Sequence, residues 1–334
     1  MESIEHIGVV GGGAWGTALA CLARRAGREV TLWSRDPTIA RSIAEHRANP
    51  VYLPGIVLDA GIAAVADLKE LAACDVLLLA CPAQAIRSLA ARLPGDRPVV
   101  ICAKGIETAT GLLMHEVLAE VLPDRPVALL SGPSFAEEAV RGLPTAISIA
   151  TADPERGRGL AAALASGVFR PYWTHDLTGV ALGGAVKNVL AIAAGIVEGR
   201  GLGANAAAAL ITRGFAEMAR LGQALGAELE TLAGLSGLGD LVLTCQGPLS
   251  RNRSLGLALG KGQSLADHMQ GRRQVVEGEA TAPAVLARAN RLGIEMPICA
   301  AVDAILHRGA DLDQAIRSLL ARPLRREGVR REGE

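Results

Sequence analysis

Short, nearly continuous apolar runs punctuate the first half of the chain: Ile7–Val10, Glu29–Trp33, Val76–Ala80, Val99–Cys102, Val127–Leu130 and Ala146–Ala150. Runs with so little polar alternation are what parallel strands covered on both faces require. Helical stretches lie between most of them, so residues 6 to 173 predict a doubly wound α/β domain. From about Asp176 the pattern changes to long Ala/Leu-rich stretches at helical spacing, broken at Gly199 to Gly203, Gly234 to Gly239 and Gly247-Pro248. That predicts an all-α second domain. The expected organisation is a mostly parallel sheet domain over 1–175, a helical domain over 176–321 and a charged tail over 322–334. The tail holds five Arg, three Glu and two Gly, a composition that frays.

The longest apolar stretch, Leu177 to Val197, is interrupted by Gly183, Gly184, Lys187, Asn188 and Gly195. An unpartnered lysine in mid-bilayer costs several kcal/mol, so a buried helix carrying a lysine is the better reading and no membrane span is expected. The acidic start, Met1-Glu2-Ser3-Ile4-Glu5-His6, is no secretory signal. Across 334 residues, 34 Lys and Arg balance 34 Asp and Glu, so nothing draws the chain to nucleic acid or an anionic membrane. With three Trp, two Tyr and three Phe, base-stacking platforms are not expected either. Cys21, Cys74, Cys81, Cys102, Cys245 and Cys299 show no C-x-x-C spacing, which suits reduced, buried thiols and a cytoplasmic location.

Directly after the first run comes Gly11-Gly12-Gly13-Ala14-Trp15-Gly16-Thr17, a G-x-G-x-x-G between a predicted strand and a predicted helix. Gly11 serves the tight turn, Gly13 the close approach of a pyrophosphate and Gly16 the packing of helix on strand. The helix N-terminus adds N–H groups and the positive end of its dipole. In this strand-turn-helix context the loop reads as a Rossmann dinucleotide site, with a plain turn or a site for another nucleoside cofactor as the alternative, and the first domain is read as that fold. At the end of the second run, Ser34-Arg35-Asp36 leaves the cofactor open. An acid there takes the ribose 2′-hydroxyl of NAD, whereas Arg35 would hold the 2′-phosphate of NADP; the reading leans to NADP(H) with NAD(H) tolerated, and a solvated Arg35 is the plain alternative.

The basic residues divide unevenly into 30 Arg and four Lys, namely Lys69, Lys104, Lys187 and Lys261. Lys104 falls just past the Val99–Cys102 run, at the carboxyl end of a parallel strand where open α/β sheets bind ligands. Lys187 is the only charged residue between Asp176 and Glu198. A lone charge in an apolar helix must be paired, neutralised or shifted in pKa. The plain reading is a snorkelling or structurally paired ammonium. Against it, a merely solubilising charge in this chain would be Arg, while lysine can deliver and recover a proton.

Ser131-Gly132-Pro133-Ser134-Phe135-Ala136 places a loop of small residues at the same predicted sheet edge. Asp240 stands alone among glycines and aliphatics as a candidate partner for Lys187. Ser250-Arg251-Asn252 reads either as a phosphate or carboxylate clamp or as the start of a helix. In Val275-Val276-Glu277-Gly278, Glu277 can face a cofactor or cap the next helix. The six histidines show no metal-ligand spacing, and hydrolase and NTPase motifs are missing; no metal is expected.

Taken together, Gly11–Ala20, Ala103–Glu107, Ser131–Ala136, Gly183–Val189, Gly237–Leu241, Ser250–Asn252 and Val275–Gly278 give a sequence that closely resembles the bacterial NAD(P)-dependent sn-glycerol-3-phosphate dehydrogenases from about Gly8 to Leu320. The resemblance implies a catalytic Lys187, a second active-site lysine at Lys104, and Asp240 orienting Lys187. It implies a cofactor held by Gly11, Gly13, Ala14, Trp15, Gly16, Arg35, Lys104, Ala136, Arg251, Val275 and Glu277. Substrate contacts would come from Lys104, Gly132, Ser134, Lys187, Asp240, Ser250, Arg251 and Asn252. Gly12 and Ala14 stand where relatives often carry Ala and Ser, a mild departure that removes one hydroxyl from the phosphate cradle.

The implied reaction is reversible reduction of dihydroxyacetone phosphate to sn-glycerol 3-phosphate, supplying glycerophospholipid synthesis. The implied assembly is a homodimer whose partner is otherwise only its small-molecule substrate. The rival readings are a β-hydroxyacid dehydrogenase or ketopantoate-type reductase, which also joins a Rossmann domain to a helical domain with a catalytic lysine, and a non-catalytic dinucleotide sensor.

Overall fold

The computed structural model describes residues 3–271 and 275–323; of the tail expected over 322–334, residues 324–334 lie outside the described residues. Its strands are β1 (His6–Val10), β2 (Glu29–Trp33), β3 (Ala48–Asn49), β4 (Leu53–Val57), β5 (Ile62–Val65), β6 (Val76–Leu79), β7 (Val99–Ile101), β8 (Val127–Ser131), β9 (Thr145–Ala150) and β10 (Phe169–Thr174). Eight of them form one sheet in the order β10-β9-β8-β7-β6-β1-β2-β5, and β3 and β4 make a separate antiparallel hairpin. The order reverses at β1, whose neighbours are β2 and β6, and such a switch point opens a crevice at the strand ends. Each of the six apolar runs is a strand, and the chain is a Rossmann-type, mostly parallel sheet domain followed by helices.

One expectation about strand direction fails. The Ala146–Ala150 run is β9, and it lies antiparallel to β8. A parallel neighbour needs a connection that carries the chain back along the sheet. The only helix between β8 and β9 is Ala136–Val140, of five residues, about 7–8 Å long and too short for that return. The following helix Pro154–Leu164, of 11 residues, makes the return, and β10 pairs parallel to β9. Two edge strands were not among the predicted runs. β5 is Ile-Ala-Ala-Val, whose two alanines weaken its strand signal, and β10 carries Arg170 and Pro171, which a sheet edge accepts readily.

The chain divides into two compact units, Met1–Lys104 with Met114–Ala181, and Gly105–Leu113 with Leu182–Glu334. The division falls immediately after Lys104 and inside the long helix Leu177–Gly199. By length and composition this helix passes for a membrane span, but its most apolar 18-residue window is entirely buried within the fold. In the second unit its Gly195 and Gly199 lie against Gly256 and Gly260 of the helix Arg251–Gly260. A methyl at Gly195 would stand 2.2 Å from the Arg253 carbonyl oxygen, and one at Gly256 2.0 Å from that of Ile192. The two helices therefore pack backbone to backbone, which only glycine on both sides permits.

Candidate active site

In the first unit the glycine loop joins β1 to the helix Ala14–Arg25. Gly11 has φ +130°, and a Cβ there would come within 2.8 Å of the Ala80 carbonyl oxygen. A Cβ at Gly16 would overlap the Gly11 carbonyl oxygen at 1.9 Å, so the helix seats directly on the turn. Around Gly13, by contrast, a Cβ would meet nothing within 4 Å. Gly13 is the N-cap of that helix, no side chain caps it, and its first turn holds no acid. An open cradle at an uncapped helix N-terminus is what a pyrophosphate needs, so the loop fits a dinucleotide. The Trp15 indole N–H is buried without a partner.

At the tip of β2, Asp36 is already engaged. Its Oδ1 accepts from the Thr38 N–H at 2.9 Å and the Thr38 hydroxyl at 2.7 Å, capping the helix Pro37–His46. Arg35 beside it is exposed. Ser34 is buried, and its side chain fills the space beside Gly12, where an added Cβ would lie 2.7 Å from the Ser34 Oγ. The small residue at position 12 and this inward serine thus fit each other.

On the same sheet, Lys104 lies three positions beyond the end of β7 and its Nζ donates to the Gly132 carbonyl oxygen at 3.0 Å. Ser134 Oγ donates to that same oxygen, also at 3.0 Å. Gly132 has φ +149°, and a Cβ would come within 2.9 Å of the Ile147 Cα. Lys104, Gly132 and Ser134 are thereby brought together, and Ala136 follows as the first residue of its helix. Beneath them the Cys102 thiol is pushed far up by burial, with the neighbouring Cys81 adding to the shift and Lys104 opposing it, so Cys102 is an inert core thiol.

In the second unit the decisive contact is Lys187 with Asp240. The lysine Nζ donates to Asp240 Oδ1 at 2.7 Å and to Thr244 Oγ1 at 2.8 Å. Thr244 Oγ1 in turn donates to the Asp240 carbonyl oxygen at 2.6 Å. Lys187 is 7% exposed, Asp240 1% and Thr244 3%, so an ion pair sits inside an apolar helix bundle. Glycines set it there. A methyl at Gly183 would come within 2.7 Å of the Ser236 carbonyl oxygen and 2.9 Å of the Gly237 Cα, and one helical turn beyond these glycines stand Lys187 and Asp240. Leu235–Gly239 forms a π-helical segment that runs straight into the helix Asp240–Gln246, a local widening that recurs at functional sites. Nearby Cys245 is pushed up to about 12, chiefly by burial.

Ser250 begins a helix: its hydroxyl accepts from the Arg253 N–H at 3.2 Å. Asn252 is buried, accepting from the Gly278 N–H at 2.9 Å and donating to Asn188 Oδ1 at 2.9 Å. This amide ties the starts of the helices Arg251–Gly260 and Glu277–Arg291 to the residue beside Lys187. Arg251 is exposed at the first position of its helix, Val275 is 43% exposed, and Glu277 opens its helix without capping it. Sequence reasoning missed Thr244, Asn188 and Gly278. Thr244 had a readable signal, since it lies four residues after Asp240 on one helix face; Asn188 and Gly278 stood inside sequence motifs, but nothing before the helices met showed that both bond Asn252.

Residues 6–156 match the family model for the N-terminus of NAD-dependent glycerol-3-phosphate dehydrogenase, and residues 176–317 match that for its C-terminus. The chain belongs to the NAD-dependent glycerol-3-phosphate dehydrogenase family. It is 56% identical to glycerol-3-phosphate dehydrogenase [NAD(P)+] of Rhodospirillum rubrum, over 98% of this chain and 95% of that one. It is 55% identical to the enzyme of the same name from Caulobacter vibrioides, over 97% and 99% of the two chains. The crystal structure of glycerol-3-phosphate dehydrogenase from Coxiella burnetii superposes with a TM-score of 0.91 at 40% identity, covering 96% of this chain and 99% of that one. This is therefore an oxidoreductase of a nicotinamide-dependent family. Among the described residues no group of three or more His, Cys, Asp or Glu is placed to hold a metal ion.

Proposed function

We propose that this protein reduces dihydroxyacetone phosphate to sn-glycerol 3-phosphate, reversibly, with NADPH preferred and NADH tolerated. The observation that carries the reading is the buried Lys187–Asp240–Thr244 group in a family of nicotinamide-dependent dehydrogenases. When bound at the glycine loop, the cofactor supplies the hydride for the carbonyl carbon. Lys187 Nζ donates the proton that the developing alkoxide needs, and Asp240 and Thr244 hold the ammonium in one orientation while it does so. That transfer leaves a neutral amine beside the Asp240 carboxylate, whose negative charge favours its reprotonation by a proton from solvent. Lys104, held on the Gly132 carbonyl, is the second active-site lysine that the family resemblance implies, an ammonium suited to stabilising negative charge. Ser250, Arg251 and Asn252 hold the substrate phosphate, so binding energy remote from the carbonyl positions the reacting carbon. Asn252 brings a fixed amide to that task, since Gly278 and Asn188 already set which way it faces.

The NADPH preference is supported by the engagement of Asp36 with Thr38, which leaves exposed Arg35 as the side chain suited to a 2′-phosphate. Supply of glycerophospholipid synthesis, a cytoplasmic location and a homodimeric state complete the reading by family resemblance. Absorbance at the reduced nicotinamide, followed with dihydroxyacetone phosphate and with 2- and 3-keto acids, tests it with NADPH and NADH in parallel. Oxidation with the triose phosphate alone is expected. Oxidation with a keto acid instead would favour a β-hydroxyacid or ketopantoate-type enzyme, and cofactor binding without oxidation a sensor.

A further inference from the structure

Asn49, fully buried at the end of β3, belongs to none of the motifs above, yet its side chain reaches the glycine loop. Its Nδ2 donates to the Gly12 carbonyl oxygen at 2.9 Å and to Thr17 Oγ1 at 2.8 Å, while its Oδ1 is buried without a partner. A carbonyl can only accept, so the contact with Gly12 fixes which end of the amide is nitrogen. A buried, unsatisfied amide oxygen is a cost, tolerated here for the sake of the two donated bonds. The asparagine is itself firmly held: Ser42 Oγ donates to the Ala48 carbonyl at 2.9 Å, and the Tyr52 N–H donates to the Asn49 carbonyl at 3.2 Å.

In a trans peptide the C=O of one residue and the N–H of the next point in opposite directions. Drawing the Gly12 carbonyl inward to Asn49 therefore turns the Gly13 N–H the other way. Gly13 is the residue beside which a Cβ would meet nothing within 4 Å, and among the described residues no acceptor takes its N–H. On the other flank Ser34 fills the space beside Gly12, so the peptide unit between residues 12 and 13 is clamped on two sides.

We propose that Asn49 is a positioning residue for the dinucleotide: by holding the Gly12 carbonyl it presents the Gly13 N–H to the cofactor's pyrophosphate. This rests on the glycine loop being the cofactor site. Asn49→Asp replaces both donors with a carboxylate oxygen at nearly constant shape, and Asn49→Ser removes the reach to Gly12 with less risk to folding. Equilibrium titration of the protein with NADPH, read by nicotinamide fluorescence, is expected to show Kd raised at least about tenfold in both variants, the loss expected for one hydrogen bond to a charged group. At saturating cofactor, kcat and the KM for dihydroxyacetone phosphate should stay within about twofold of the parent, which a generally damaged fold would not allow. Thr17→Val, which removes the other partner of Asn49 and leaves the Gly12 contact, should leave Kd within about twofold while lowering Tm. If the parent binds NADPH and Asn49→Ser binds it equally well, or if Thr17→Val weakens binding as much as the Asn49 variants do, the positioning role is wrong. If the parent itself does not bind the dinucleotide, it is the cofactor reading that has failed.

Discussion

The loop from Gly11 to Gly16 works by what its residues lack, whereas Lys187, Asp240 and Thr244 work by what they carry. In the loop a missing Cβ lets Gly16 sit on the Gly11 carbonyl and leaves space beside Gly13; the groups offered to a ligand are backbone N–H groups. In the helical unit the proposed chemistry belongs to a charged side chain, and burial forces it to be paired. The lesson is that the first region should be disrupted by adding a methyl group and the second by removing a partner.

The largest effect is expected from Asp240→Ala. Breaking a buried ion pair from one side costs about 3–5 kcal/mol, so the midpoint of denaturant unfolding should fall sharply, and turnover with it. Gly16→Ala comes next. Its methyl would overlap a backbone oxygen at 1.9 Å, and overpacking against such a neighbour costs about 1–3 kcal/mol or more, visible as a lower Tm together with weaker cofactor binding. Gly13→Ala sharpens the contrast, because the protein itself offers the new methyl no clash. Stability should change by less than about 0.5 kcal/mol, while the Kd for NADPH rises at least about tenfold as the pyrophosphate is held off. Equal damage to stability from Gly13→Ala and Gly16→Ala would erase the distinction between a packing glycine and a ligand glycine.

The smallest effect concerns a buried carboxyl that the proposed mechanism does not use. Glu217 is 2% exposed and accepts from the N–H groups of Ile298 at 2.7 Å and Cys299 at 3.3 Å, at the start of the helix Pro297–His307. Burial pushes its carboxyl up to about 7, against the opposing pull of those two N–H groups. Between the ordinary glutamate range and about 7 the folded chain keeps a proton that the unfolded chain has released. The stability this group confers is therefore complete below the ordinary range and is lost as pH rises toward 7. Glu217→Gln should flatten the dependence of Tm on pH between about 4.5 and 7; an unaltered slope would show that another group governs it.

How far the molecule could be read from its residues follows the same division. Six strands were visible because central strands are apolar on both faces, and the close backbone fit at Gly11 and Gly16 was visible because backbone geometry is local. The direction of β9 was not, since it depends on how far a five-residue helix carries the chain. Lys187 and Asp240 stood out as isolated charges among aliphatics, and their pairing follows from that isolation. Thr244, Asn188 and Gly278 are ordinary residues until the helices meet, as are the glycine pairs 195/256 and 199/260. Glu217 resembles a solvated charge in Phe-Ala-Glu-Met-Ala-Arg, and only tertiary packing buries it. Asn49 is one polar residue in a hairpin region, distant in sequence from the loop it holds.

The claim at the centre is that Lys187 moves a proton rather than merely balancing Asp240. Lys187→Arg keeps the positive charge and a donor for Asp240 while removing a group that can give up its proton near neutral pH. Measured with dihydroxyacetone phosphate at saturating NADPH, with cofactor Kd determined on the same sample, kcat should fall at least about a hundredfold while Kd stays within about twofold. Near-normal turnover in Lys187→Arg would contradict the account and leave the lysine a structural ion-pair partner.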